Sequence, residues 1–176
     1  MVVIWMSHGK LTSTLGSSLR ERLAEKSDME VLYDHGKSTE PGVGALHLVM
    51  RDMPVSRASI VADADIAIVK GDRVLLLVEV EESSTESKTV IGDLAVPLLC
   101  DRMRFTGRDY SLDNAVVLVV LIAAQDSPAA QKARLVAERI SILGQFGHGA
   151  GGVAECKVAV SENADLAPAP RTPRHL

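Results

Sequence analysis

Three acidic residues near the middle of the chain have the types and spacing that a metal site needs. Glu79 and Glu81 end the apolar run VLLLVEVE, and Asp65 opens the run DIAIV shortly before it. Residues two apart on a strand point to one face of a sheet, so the two glutamates are expected to lie side by side. Buried carboxylates are costly unless they are protonated, paired or bound to a cation. The pattern therefore predicts a Mg²⁺ or Mn²⁺ site, because these ions prefer carboxylate ligands and activate water beside a phosphodiester.

The turn between the two runs decides whether Asp65 joins this cluster. The sequence predicts a hairpin of two strands, Ala64–Val69 and Val74–Glu81. A turn made of Gly71 and Asp72 alone would direct the Asp65 side chain away from Glu79. A three-residue loop or a bulge would bring the two carboxylates to one face, and Gly71 supplies the positive φ that such loops use. Asp63 shares the face of Asp65 and is the reserve candidate.

The acidic pattern resembles that of a known nuclease superfamily. Asp65, thirteen intervening residues and then Glu79-Val80-Glu81 resemble the signature of the PD-(D/E)XK nucleases. In that superfamily an Asp opens the second core strand and an acid-x-Lys motif ends the third. The resemblance spans roughly residues 12 to 122. It implies an α/β fold of the restriction-endonuclease-like type, in which helices flank a central mixed β-sheet with an α-β-β-β-α-β core.

The same resemblance implies roles for individual residues. Asp65 and Glu79 would bind Mg²⁺ or Mn²⁺. A carboxylate of the first helix often joins such sites, and Glu21 and Glu25 are both candidates here. The chain would then be a Mg²⁺-dependent nuclease that acts on DNA.

One residue departs from the family pattern. Glu81 stands where the family usually has a lysine that positions or activates the attacking water. Either Glu81 serves as a further ligand or base, or Lys88 on the following helix replaces the lysine. The alternative is a catalytically inactive nuclease-fold protein that binds a protein or nucleic-acid partner. An α/β small-molecule enzyme is a third, weaker hypothesis, since no other coherent motif occurs.

The order of the predicted elements agrees with that core. Leucines recur every four residues on the first predicted helix, which is typical of an amphipathic helix. Residues 45 to 60 do not favour either a helix or a strand. The predicted elements around the hairpin are a helix Thr12–Lys26, a strand Met29–Tyr33, a loop Asp34–Gly44, a helix from Ser83 or Ser84 to about Arg104 with bends at Gly92 and Pro97, a loop Thr106–Asp113, a strand Asn114–Ala123, a helix Ser127–Leu143 and a strand Ala154–Val160.

Length and composition favour one domain. The chain has 176 residues, of which 47% are apolar and few are aromatic, so the core must consist mainly of aliphatic side chains. Residues 1–161 are predicted to form a single α/β domain. The segment 162–176 contains three prolines without apolar periodicity and is predicted to be a disordered tail.

The net charge of the chain and its cysteines indicate which partners it attracts and in which compartment it is expected. A net charge of −4 excludes a global basic field. Cys100 and Cys156 are expected to be reduced core thiols in a cytoplasmic protein. No signal peptide or membrane span is predicted, because the longest apolar run, Ala115 to Ala124, is half of what a membrane helix needs. A homodimer is possible.

Basic residues cluster near the end of the second predicted helix. Arg102, Arg104 and Arg108 lie at and beyond that end, where cations stabilise a helix terminus. The functional alternative is a local basic rim, formed with Lys37 and Lys88, that contacts DNA phosphates. The five histidines lack metal-ligand spacing and are expected at the surface.

Overall fold

A computed structural model describes residues 10–26, 28–35, 40–81, 87–123, 125–146 and 153–161. Within these residues the chain forms an α/β fold with three α-helices and a mixed sheet of nine strands. The helices are α1 (Lys10–Leu23), α2 (Ser87–Ala95) and α3 (Pro128–Phe146). The strands are β1 (Glu30–Tyr33), β2 (Leu46–Met50), β3 (Ile60–Ala64), β4 (Ile66–Lys70), β5 (Arg73–Glu81), β6 (Cys100–Phe105), β7 (Arg108–Ser111), β8 (Val116–Ile122) and β9 (Glu155–Ser161).

Five strands form the main part of the sheet, in the order β1-β4-β5-β8-β9. β4 is antiparallel to both β1 and β5, whereas β8 is parallel to both β5 and β9. β5 and β8 are central and largely apolar on both faces, as strands covered on two sides must be. This part of the sheet carries the acidic residues at the end of β5.

The other four strands form an antiparallel layer in the order β3-β2-β6-β7. A single pair of residues, Arg73 and Ser111, joins β7 to the start of β5. The buried side chains of this layer, among them Leu48 and Met103, pack into the core that lies under α2 and α3. β3 leads directly into β4 and contacts β5, so the layer closes around the acidic end of the hairpin.

The main sheet has a separate apolar core on each face. The larger one contains Leu77 of β5 and the buried residues of α2 and α3. The smaller one contains Val78 of β5 and the apolar stripe of α1, including Leu15 and Leu19. The prediction of an amphipathic first helix is therefore confirmed. Helix α1 lies on the face opposite to α2 and α3.

Helix α1 docks closely on Tyr33 of β1. Gly16 faces the ring so closely that a Cβ there would lie 2.5 Å from Tyr33 Cγ and 2.7 Å from Cδ1. The Ser17 and Tyr33 hydroxyls lie 3.2 Å apart, and the Arg20 guanidinium stacks 4.7 Å from the ring centroid. The ring atoms nearest to Gly16 are at the root of the side chain, so they cannot move away without the backbone.

We expect the substitution Gly16→Ala to destabilise the protein. Overpacking against Tyr33 costs about 1–3 kcal/mol, which exceeds the gain of up to about 1 kcal/mol from replacing a helical glycine by alanine. Gly92→Ala in α2 is the matched control, because a Cβ there meets no atom within 4 Å and should stabilise the fold. Urea unfolding measures both. Equal stabilities of the two variants would contradict this packing.

The region after α2 differs from its prediction. The helix predicted to continue to Arg104 is wrong: α2 ends at Ala95, and a 3₁₀ turn, Val96–Leu99, follows. Pro97 lacks an N–H and clashes with a preceding turn, so it ends the α-helix where a bend was expected. Cys100, Met103 and Phe105 then bury their side chains on one face of β6. The predicted loop Thr106–Asp113 holds the short turn at Thr106 and Gly107 and the strand β7.

Other predictions have mixed outcomes. The segment from 45 to 60, for which the sequence favoured no structure, contains β2 and the start of β3. Helix α3 begins at Pro128 as predicted, and Ser127 Oγ accepts a hydrogen bond from the Ala130 N–H. Cys100 and Cys156 are free and buried, which confirms their prediction as core thiols. Burial raises the pKa of each thiol to about 11.

Several predictions concern segments that the structure does not describe. The residues outside the described ranges include 1–9, the glycine-rich segment 147–152 and the predicted tail 162–176. Among the described helices, none combines the length and apolar character required to cross a membrane.

Candidate functional site

A bulge in β5 brings Asp65 and Glu79 to the same face. The turn consists of Gly71 and Asp72 only, because Lys70 pairs with Arg73. A turn of this length would separate the two carboxylates if the strands were regular. The register shifts by one residue at Leu75, however, so that Ile66 pairs with Val78. The bulge was one of the two geometries that the sequence required for a site.

Two hydrogen bonds tie the carboxylates to the opposite strand. The Val80 N–H donates to Asp65 Oδ2 at 2.7 Å. In return, the backbone N–H of Asp65 donates to the Glu79 carboxylate. Asp65 lies at the break between β3 and β4, where it is outside the regular ladder and can bond in this way. The exchange holds both acidic side chains over the end of β5.

Like charges and burial act together on Glu79. Its side chain shares the buried face of Leu77 and is only partly exposed. Burial is the main cause that raises its pKa well above the usual value, and the charges of Asp65, Asp93 and Asp63 raise it further. The hydrogen bond from the Asp65 N–H lowers the pKa of Glu79 but does not offset these effects. Glu79 is therefore ionised only at a free-energy cost that a bound cation would repay.

A fourth carboxylate, Asp93 of α2, belongs to the same group. Burial and the nearby charges of Glu81 and Asp65 raise the Asp93 pKa to about 6. Its helix neighbour Leu94 is fully buried, which places Asp93 at the border of the packed face. Sequence reasoning included this residue in a helix but missed it as a site residue. The sequence did contain a signal for this residue. Asp93 is a polar residue beside the buried positions of the helix that follows the acidic strand.

Glu81 and Lys88 complete the set of residues singled out from the sequence. Glu81 ends β5 on the face of Glu79 and is partly buried. Lys88 is the second residue of α2, but its side chain lies outside the described part of the structure. We name the group of Asp65, Glu79, Glu81 and Asp93 the acidic cluster.

The first-helix candidates are remote from the acidic cluster. Glu21 and Glu25 are exposed, at and just beyond the end of α1. This helix packs on the face of the sheet opposite to Glu79. Its end also leads into the start of β1, where Glu30 pairs with Val69, far along β4 from Asp65. The structure brings neither glutamate to the site.

The predicted basic rim does not surround the acidic cluster. The three arginines lie on the β6–β7 hairpin and not at the end of a helix. Arg102 donates to the Met53 carbonyl, Arg104 pairs with Asp109 at 3.4 Å, and Arg108 donates to the Gly71 carbonyl at 2.7 Å. Gly71 is at the end of β5 opposite to Glu79, roughly 20 Å away at strand spacing. Lys37 lies outside the described residues.

The donor set suits a hard divalent cation, although its ligands are not preassembled. Among the described residues no group of three or more Asp, Glu, His or Cys side chains is close enough to hold a metal ion. Mg²⁺ commonly binds through only one or two protein carboxylates, with water and substrate phosphates as its other ligands. The hydrogen-bonded pair of Asp65 and Glu79 meets that smaller requirement.

Comparison with known proteins adds no family to these observations. No protein-family model, curated protein or solved structure matches the chain.

Proposed function

We propose that this chain is a Mg²⁺-dependent nuclease of the restriction-endonuclease-like fold that hydrolyses phosphodiester bonds in DNA. The observation that carries the proposal is the placement of Asp65 beside Glu79 at the end of a central strand, where the Asp65 carboxylate accepts the Val80 N–H and the Glu79 carboxylate accepts the Asp65 N–H. Burial and the like charges of Asp65 and Asp93 raise the pKa of Glu79, so a divalent cation would relieve the cost of ionising this carboxyl.

The arrangement of elements supports the proposal as well. In chain order the helix α1, the strands β1, β4 and β5, the helix α2 and the strand β8 correspond to the core that the PD-(D/E)XK resemblance implies. The pairs β2–β3 and β6–β7 are then insertions in that core. Asp65 directly precedes the second of these core strands, and Glu79 and Glu81 end the third.

The members of the acidic cluster have different roles in the proposed reaction. Asp65 and Glu79 would hold the cation, which supplies a water of lowered pKa and neutralises charge on the phosphate. The Val80 N–H fixes the Asp65 carboxylate at the end of β5. Glu81 and Asp93 add negative charge that retains the cation and its water ligands at the end of β5.

Metal titration followed by cleavage tests this function. We expect wild-type protein to bind Mn²⁺ in calorimetry and to nick plasmid DNA in its presence. Asp65→Ala should weaken Mn²⁺ binding by more than the roughly 10–100-fold that loss of an outer-shell partner costs, and should abolish cleavage. Asp65→Asn should do the same at higher stability, because its amide oxygen still accepts the Val80 N–H.

Asp72→Asn is the matched control, since it removes an exposed carboxylate at the opposite end of the same hairpin. It should bind Mn²⁺ and cut DNA like the wild type. Wild-type protein that neither binds Mn²⁺ nor cuts plasmid would overturn the proposal. That result would favour the inactive nuclease-fold protein, in which Glu81 in the lysine position has ended catalysis.

A further inference from the structure

A cavity lies beside the outer edge of β1, at one side of the main sheet. Its volume is about 660 Å³, which is within the usual range of small-molecule sites in proteins. Residues at the end of α1, at the start of β1 and in the turn 40–42 form its lining. In the sheet, β1 is two strands away from β5, so this cavity is distinct from the acidic cluster.

Alternate residues of β1 direct their backbone groups to this edge. The Asp34 N–H donates to the Asp65 carbonyl at 2.8 Å, so the even-numbered residues of β1 bond to β4. Both backbone groups of a strand residue point to one side, and those of Val31 and Tyr33 therefore point away from β4. The segment 42–44 bonds to both groups of Tyr33 at 3.1 Å. Val31 is the position that this segment leaves open.

A turn at Gly42 makes room for a side chain at this open position. The Val43 N–H donates to the Glu40 carbonyl at 3.1 Å, and Gly42 has a φ of +76° within the turn that this bond closes. The Arg20 guanidinium then donates to the Val31 carbonyl at 3.1 Å. A Cβ on Gly42 would lie 2.6 Å from Arg20 Nη2, so a side chain there would displace the guanidinium.

Two sets of hydrogen-bond donors are left without an acceptor beside the cavity. The Val31 N–H has no partner among the described residues, although Val31 is only 3% exposed and buried N–H groups are rarely unpaired. The half-buried Arg20 guanidinium is stacked on Tyr33 at 4.7 Å and has no carboxylate partner in the part of the chain that the structure describes. Its five N–H donors exceed the one hydrogen bond to Val31. Both sets of donors suit an anionic oxygen ligand.

We propose that this cavity binds a small apolar carboxylic acid in its ionised form, with the carboxylate between the Arg20 guanidinium and the Val31 N–H. Leu23, Met29 and Pro41 in the lining provide apolar surface for the rest of the ligand. A peptide strand cannot extend along this edge, because the Tyr33 groups are occupied and the Met29 N–H donates to the Lys26 carbonyl at 3.0 Å.

The charges of the lining favour a monoanion. Arg20 and Lys26 contribute two positive charges, and Glu30 and Glu40 contribute two negative charges. A phosphate dianion would meet the repulsion of both glutamates, whereas a carboxylate carries half of that charge. The site lies outside the acidic cluster and does not depend on the proposed nuclease function.

Titration of ¹⁵N-labelled wild-type protein with hexanoate, followed by NMR, tests the site. We expect saturable shifts of the Val31 amide signal and of the Arg20 Nε signal. 1-Hexanol has the same chain without the charge and should leave the Val31 amide unchanged. Inorganic phosphate should bind more weakly than hexanoate.

Three variants separate binding by Arg20 from its contacts with Val31 and Tyr33. Arg20→Gln should weaken hexanoate binding about tenfold or more, as loss of a charged hydrogen-bond donor does. Arg22→Gln is the matched control, because it removes an exposed positive charge from the same helix and should bind hexanoate like the wild type. Ala24→Trp keeps Arg20 and fills the cavity from an exposed position, so it should fold and lose the Val31 shift.

Several outcomes would overturn this inference. They are a wild-type protein without a saturable Val31 shift, an Arg20→Gln protein that binds hexanoate like the wild type, and a 1-hexanol titration that moves the Val31 amide as hexanoate does. Tighter binding of phosphate than of hexanoate would also contradict the assignment to a carboxylate. If Arg20→Gln does not fold, Ala24→Trp decides, because unchanged hexanoate binding in that variant would place the ligand elsewhere.

Discussion

We expect the Glu79→Gln protein to be more stable than the wild type at neutral pH and to have lost metal-dependent cleavage. The amide keeps the shape of the glutamate and still accepts the hydrogen bond of the Asp65 N–H. It removes the negative charge that burial, Asp65 and Asp93 all disfavour. The stabilisation should be about 1–2 kcal/mol, in the range of other single stabilising substitutions.

The pH dependence of this difference has a definite sign. The pKa of Glu79 is higher in the folded protein than in the unfolded chain. Below the unfolded value of about 4.3 the carboxyl is protonated in both states and costs nothing. As the pH rises, the unfolded state ionises first, so wild-type stability falls until the folded pKa is passed. The pKa of Asp93 is raised to about 6, so this residue also lowers stability as the pH rises, and it does so equally in the wild type and the variant.

Urea unfolding between pH 4 and pH 8 measures the difference. The variant and the wild type should be close in stability at the low end, and the variant should become more stable as the pH rises. Glu138→Gln is the control, because Glu138 is exposed on α3 and its change should stay within about 0.5 kcal/mol at every pH. A difference that does not depend on pH would show that Glu79 is not a strained carboxyl.

The expected effect of Glu79→Gln on the cleavage rate is larger than its effect on stability. A metal ion contributes several kcal/mol to the stabilisation of a phosphoryl transition state, which corresponds to about 10³-fold or more in rate. Glu79→Gln should lose cleavage by that factor and should not regain it when Mn²⁺ is raised within the range that saturates the wild type. A stable but inactive variant would mean that Glu79 is kept at a cost to stability.

The parts of this fold that the sequence predicted are those with strong local patterns. The run from Val74 to Val78 is apolar on both faces, which is typical of a central strand, and β5 occupies that place. Helix α3 has a proline in its first turn, so its start was predicted at Ser127-Pro128, and the helix begins at Pro128. The pairing of Asp65 with Glu79 was predicted only conditionally. It depends on the bulge at Leu75, which lies in a uniform stretch of Leu and Val with no local signal for a bulge.

The parts that were missed depend on tertiary contacts. Residues Cys100–Arg104 were included in the second predicted helix, but β6 gains its hydrogen bonds from β2 and β7. Those partners are distant in sequence, and β2 itself lies in a segment with no clear preference. Asp93 reaches the acidic cluster only because α2 packs on β8, the neighbour of β5 in the sheet. Glu21 and Glu25 failed as site residues because the sequence does not indicate which face of the sheet the first helix covers.

Leu77→Ala should be the most destabilising of the single substitutions considered for this chain. Leu77 is fully buried in the centre of the sheet, between Ala67 of β4 and Val117 of β8. Truncation leaves a cavity under α2 and should cost about 2–5 kcal/mol. That is a large fraction of the roughly 5–15 kcal/mol that holds a typical domain together. Leu135→Ala on α3 is the control, because its side chain is 59% exposed and its loss should cost less than about 0.5 kcal/mol.

Mn²⁺ should partly restore the stability of the Leu77→Ala protein, because the ion is expected to bind the carboxylates at the end of β5 only in the folded state. A ligand that binds only the folded state stabilises it by about 2.7 kcal/mol at 100 times its Kd. The same increment is expected for wild type and Leu77→Ala, and none for the double variant that also carries Glu79→Gln. Urea unfolding with and without Mn²⁺ measures all three proteins. An Mn²⁺ increment that persists in the double variant would place the ion elsewhere than on the end of β5.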